Sequence, residues 1–164
     1  MEQRPKICPE PTQVDIWIEI LGILALLAMV GYPAYHYTDL AAEIPQHYGL
    51  DGRPDRYGSK AMVWLLPGLG VLLYGGMWYL NKFPYIFNYT RTITKENAER
   101  QYRLARRMIR SLNTFIAITF AYISYTIVRG GLQEELSLGW WFIPSMLVGM
   151  TAILIVYLVY ANRD

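Results

Sequence analysis

Four stretches of this sequence carry no Asp, Glu, Lys or Arg: Ile20 to Tyr37, Ala61 to Leu80, Ser111 to Val128 and Gly139 to Ala161. They are 18, 20, 18 and 23 residues long. At a helical rise of about 1.5 Å per residue, each reaches across a hydrocarbon core of roughly 30 Å. The apolar residues, 54% of the chain, are gathered in these blocks rather than spread with the period of an amphipathic element, which argues against an ordinary soluble domain. The expected fold is therefore all-α: an integral membrane protein with four transmembrane helices. The first stretch runs unbroken to bulky aromatics, with no small-residue cleavage pattern after it, and reads as a retained span rather than a signal peptide.

Charge sets the expected orientation. Eight Lys and Arg fall between spans two and three: Lys82, Arg91, Lys95, Arg100, Arg103, Arg106, Arg107 and Arg110. With four spans, this segment shares a side with both termini, which gives that side eleven positive residues against four on the other. Positive-inside bias then places both termini in the cytoplasm and the loop between spans one and two outside, as in a bacterial inner-membrane protein. Cys8 is the one cysteine, which excludes an internal disulfide and a multi-cysteine metal site.

The chain divides into a proline-rich cytoplasmic lead-in (1–13), a first unit of two spans joined by an outer loop at 38–60 (14–80), a basic cytoplasmic segment (81–110) and the last two spans (111–161). Thr12 and Asp15 have the spacing of a capping box. Glu19 lies one turn deeper, where an acid is costly unless hydrated or paired: it is a functional candidate, or more simply sits at the interface or pairs with an Arg or Lys of the middle segment. His36 falls in an aromatic belt, Tyr32 to Tyr37. In span two, Pro67 permits a kink, and Gly68, Gly70, Gly75 and Gly76 permit close helix approach. Thr94 is a cap candidate and Glu96/Arg100 and Glu99/Arg103 have ion-pair spacing, so one helix is expected from about Lys95 to Val128, its first half extending on the cytoplasmic side. On it, Arg103, Arg106, Arg107 and Arg110 form a basic stripe suited to anionic lipid; nucleic acid is not expected as a partner. Arg129-Gly130-Gly131 ends this helix, with Glu134-Glu135 in a short outer loop. Ser145 and Gly149 give span four a small-residue contact face.

The polar, turn-rich stretch from Ile44 to Lys60 differs from everything around it. Ile44-Pro45 enforces an extended or turn conformation, Asp51-Gly52 signals a tight turn, and Arg53-Pro54-Asp55 invites a second. Ser59 is an N-cap candidate for the next span. An ordered loop follows, in which His47, Asp51, Arg53, Asp55, Arg56 and Lys60 hold fixed places. His47 with Asp51 or Asp55 is a weak candidate metal set; a hydrogen-bonded turn in which His47 orients a carboxylate or Tyr48 is the simpler reading. No nucleophile elbow, phosphate-binding loop or HExxH pair occurs, so no catalytic residue, enzyme activity or cofactor is expected.

The order Ile44-Pro45-x-His47-Tyr48, Gly52-x-Pro54-Asp55 and Lys60, set between two spans with Pro67 in the second, resembles an uncharacterised bacterial membrane domain. That domain stands at the N-terminal end of SdpI-like immunity proteins and also occurs alone. The resemblance covers roughly residues 16 to 80. It implies a multi-spanning immunity or signalling protein that protects its producer from a secreted toxic peptide and relays the peptide's presence to a cytoplasmic repressor, with Pro45, His47, Asp51, Gly52, Arg53, Pro54, Asp55 and Lys60 as the motif that meets the peptide or another membrane-protein partner. Two other expectations stand beside it: a structural or accessory subunit of a larger membrane complex, and an accessory to metal- or ion-linked transport.

Overall fold

The computed structural model describes residues 4–132 and 137–163. Glu134 and Glu135 lie outside the described residues. Four helices are long and apolar enough to cross a membrane, as the charge-free windows require. Helix α1 spans Gln13–His36, α2 Leu65–Leu80, α3 Ala98–Gly131 and α4 Phe142–Ala161, and α2 reaches spanning length together with the 3-10 turn Lys60–Trp64 that leads into it. They run alternately up and down, so the structure has two ends. One gathers the start of α1 and α3 with the finish of α2 and α4; the other holds the segment between α1 and α2.

Local chemistry explains the helix starts. Thr12 N donates to Asp15 Oδ2 at 2.8 Å and Asp15 N to Thr12 Oγ1 at 3.4 Å, closing the expected capping box of α1. Ser59 Oγ accepts from Ala61 N, which starts a 3-10 turn, Lys60–Trp64, ahead of α2. Pro67 therefore sits in the first turn of α2, where proline is tolerated. The expected kink is replaced by a change from 3-10 to α winding at Leu65. Thr94 does not cap α3; its own N–H donates to Asn97 Oδ1 at 2.9 Å, and the helix begins at Ala98. With 34 residues, α3 is about 50 Å long and exceeds a hydrocarbon core of roughly 30 Å, so its charged first turns project from the apolar part.

Helix α3 is central, with α1, α2 and α4 each packed on it. Polar side chains tie these contacts. Ser124 Oγ donates to Met29 O at 3.3 Å, Thr114 Oγ1 to Ile18 O at 2.9 Å and Asn113 Nδ2 to Tyr74 O at 3.1 Å. In an apolar surrounding such bonds supply association that hydrophobic burial does not. Thr119 and Thr126 instead bond to their own helix. Of the glycines in α2, Gly70 meets the Met29 side chain, whereas a Cβ at Gly68, Gly75 or Gly76 would meet no other element within 4 Å among the described residues. Gly149 of α4 receives the Phe115 ring.

The structure departs from all-α between α1 and α2. Strands β1 (Glu43–Tyr48) and β2 (Pro54–Ser59) form an antiparallel hairpin, with Ile44 opposite Gly58 and His47 opposite Arg56. The expected second turn at 53–55 is absent because Pro54 already begins β2. The first turn forms as expected: Gly52 has φ of +77°, a region open to glycine, and Gly49 N donates to Arg53 O at 2.8 Å. Leu40, Ile44, Val63 and Val128 make a buried cluster beneath the hairpin.

Candidate functional site

The basic stripe is spent largely on the protein itself. Arg107 Nε donates to Asp15 Oδ1 at 2.8 Å and its Nη2 to Thr12 Oγ1 at 2.9 Å. Arg110 Nε donates to Glu19 Oε2 at 3.0 Å, the pairing that makes an acid tolerable within a span. Arg106 is buried; it donates to Pro9 O, and its Nε donates to Asn81 O while Asn81 Nδ2 donates back to Arg106 O. Arg103 pairs with Glu99 along the helix as its spacing predicts. Arg100, expected to pair with Glu96, instead donates to Tyr160 O and Arg163 O, where α4 exposes its last carbonyls. Helical spacing alone places the four arginines Arg103, Arg106, Arg107 and Arg110 on one lipid-facing stripe. The tertiary structure turns three of them toward α1, α2 and the lead-in.

At the opposite end, the hairpin is built into the bundle. A side chain at Gly130 would collide with Pro45, and one at Gly131 with Ile44 and Leu40, so the two glycines ending α3 are what let β1 lie down. The turn is held from its far side: Leu138 N donates to Gly52 O at 2.9 Å and Ser137 Oγ to the same oxygen at 2.7 Å. A Cβ on Gly52 would also strike the Gly139 backbone. Lys60 Nζ reaches Tyr37 O at 3.4 Å and stands 5.1 Å from the Tyr37 ring centre. Of the motif residues, Pro45, Gly52, Pro54 and Lys60 thus shape and seat the hairpin.

His47 and Asp55 come together on its open face. His47 Nδ1 and Asp55 Oδ1 are 2.6 Å apart, and both side chains are more than half exposed. This is the orienting role anticipated for His47. Asp51 does not join them; its Oδ1 accepts from Arg53 N at 3.0 Å and closes the turn. Among the described residues no group of three or more His, Cys, Asp or Glu forms. His36 is elsewhere, edge-on to Tyr32 and Tyr35. The Tyr48 hydroxyl is buried with no hydrogen-bond partner among the described residues, and burial raises its pKa above the usual phenol value.

Sequence reasoning missed a cleft of about 240 Å³ under the hairpin. Its floor is Leu65, Leu66 and Leu69 of α2 with Ile123 and Ile127 of α3, and its rim carries Gln46, His47 and Arg56. Arg56 enters because it is the cross-strand partner of His47, a relation visible only once the strands are paired.

Four such helices are consistent with a multi-pass membrane protein. The profile of a family described as a domain of unknown function, DUF1648, matches residues 24–71, which takes in the second half of α1, the hairpin and the first turns of α2. The resemblance to an uncharacterised domain is thus found around the motif, over a shorter span than 16 to 80. The chain is 26% identical over 132 residues to an uncharacterized protein of Archaeoglobus fulgidus, a likeness covering 72% of each chain. No solved structure matches it.

Proposed function

We propose that this protein is a non-catalytic recognition protein of a bacterial inner membrane, similar to SdpI-like immunity proteins, whose hairpin meets a secreted peptide on the outer side. The observation carrying this reading is the hairpin's construction. Its back is fixed by Gly130, Gly131 and residues 137–139, while His47 and Asp55 are presented, already paired, on the open face. Pre-ordering of this kind lowers the entropic cost of binding. The excess of Lys and Arg at 82–110 supports cytoplasmic termini and an outward hairpin. Cells making the protein are expected to survive a cognate toxic peptide, and Asp55→Ala or His47→Ala to lose that survival at unchanged membrane abundance. Full protection by both variants rejects the hairpin as the site.

A second reading, an accessory subunit of a larger membrane complex, draws on α2. Gly68, Gly75 and Gly76 are open to another helix, and small residues are what let backbones approach in a membrane. A fixed-stoichiometry partner in mild-detergent purification supports it, and a lone monomer counts against it.

A further inference from the structure

We propose that the cleft beneath the hairpin is a binding site for an anionic phospholipid with a hydroxyl-bearing head. The cleft straddles the boundary between apolar and polar chain. Its floor of Leu65, Leu66, Leu69, Ile123 and Ile127 belongs to candidate membrane spans, and its rim of Gln46, His47 and Arg56 to the hairpin. Met62, Leu65 and Leu69 at its edge are 46%, 54% and 46% exposed, so the apolar floor is continuous with a surface that faces lipid. A volume of about 240 Å³ is below that of most drug-sized ligand sites and suits the stretch of one acyl chain next to its head rather than a folded partner.

The rim chooses the head. Arg56 and His47 are register partners and both line the cleft. Asp55, beside Arg56 in sequence, is engaged by His47 Nδ1, and among the described residues no carboxylate pairs with Arg56. A guanidinium so placed fits a phosphodiester. With Nδ1 given to Asp55, a neutral His47 has Nε2 left as an acceptor, which suits a head-group hydroxyl. Phosphatidylglycerol carries both features; ethanolamine and choline lipids carry no net negative charge. This inference does not depend on peptide recognition.

The full chain, stripped of lipid in detergent, is titrated with an equal mixture of phosphatidylglycerol, phosphatidylethanolamine and phosphatidylcholine and read by native mass spectrometry. The glycerol lipid is expected to be retained about tenfold over the others, a ratio within reach of one charge-assisted contact. Arg56→Gln is expected to abolish the preference, and Leu69→Trp, which fills the cleft, to abolish retention. Arg53→Gln, a charge loss in the same hairpin away from the cleft, should leave both intact. Equal retention of the three lipids, or equal losses in Arg53→Gln and Arg56→Gln, overturns the assignment. A photo-cross-linking residue at Leu69 in native membranes separates the occupants. A lipid adduct is expected. A peptide adduct overturns the lipid site while leaving peptide recognition standing, and absence of any adduct overturns it as well.

Discussion

Arg107 Nε donates to Asp15 Oδ1 at 2.8 Å across 92 residues of sequence, and the same carboxylate closes the capping box of α1. One acid therefore both starts a helix and fastens it to the central one. Asp15 is 1% exposed, so removing Arg107 leaves a carboxylate away from water without its partner, and removing Asp15 leaves the half-buried Arg107 without its acid. Asp15→Asn is expected to destabilise the detergent-solubilised protein by about 3 kcal/mol. The double variant Asp15→Asn/Arg107→Gln should recover part of that loss, since neither charge then remains alone. Strictly additive losses in denaturant titration would show that the pair is not coupled.

The seating of the hairpin rests on Gly131, where a Cβ would stand 2.7 Å from Ile44 Cγ2 and 2.9 Å from Leu40 Cδ2. Both neighbours belong to the buried cluster under the hairpin and have little room to yield. Gly131→Ala is expected to cost about 1–3 kcal/mol and to raise hydrogen exchange in β1 and β2 while α1 and α2 stay protected. Unchanged exchange in the hairpin would mean that the α3 terminus does not hold it.

What could be read from residues alone follows the range of the forces involved. The four helices were legible because solvation in lipid acts on each segment separately. Thr12 with Asp15 was legible because a cap is local. The hairpin was not: Pro45, Gly58 and a mixed burial pattern deny its strands the alternation that marks a half-buried sheet. Much of what holds β1 is supplied by Gly130 and Gly131, more than eighty residues away. The partners of the arginine stripe were hidden for a related reason. Spacing shows that Arg106, Arg107 and Arg110 share one side of a helix, but only the packing of α1 and α2 decides that this side meets Asp15, Glu19 and Asn81.

Tyr48 offers a test in which removal of a polar group is harmless. Its hydroxyl is buried and unpartnered among the described residues, so Tyr48→Phe is expected to be neutral or stabilising by up to about 1–2 kcal/mol. Burial, with smaller contributions from Tyr57 and Tyr122, raises its pKa. The folded protein thus holds this proton when the unfolded chain releases it, and stability from Tyr48 is full below the ordinary value of about 10 and declines as pH rises beyond it. In thermal melts across that range, Tyr48→Phe should flatten the alkaline decline. An identical decline in the variant would place the sensitivity elsewhere.

Orientation carries the peptide reading and is decided with thiols. Cys8 is exposed at the arginine end, and Leu50, 87% exposed, lies beside the hairpin turn at the other. If the basic segment is cytoplasmic, a membrane-impermeant maleimide applied to intact cells should leave Cys8 unmodified and label Leu50→Cys in a Cys8→Ser background. Permeabilisation should then expose Cys8. Labelling of Cys8 alone in intact cells would put the hairpin inside, where no secreted peptide reaches His47 and Asp55. The lipid site would survive that reversal, because Arg56 and the floor of Leu65, Leu66 and Leu69 stand at a membrane boundary in either orientation.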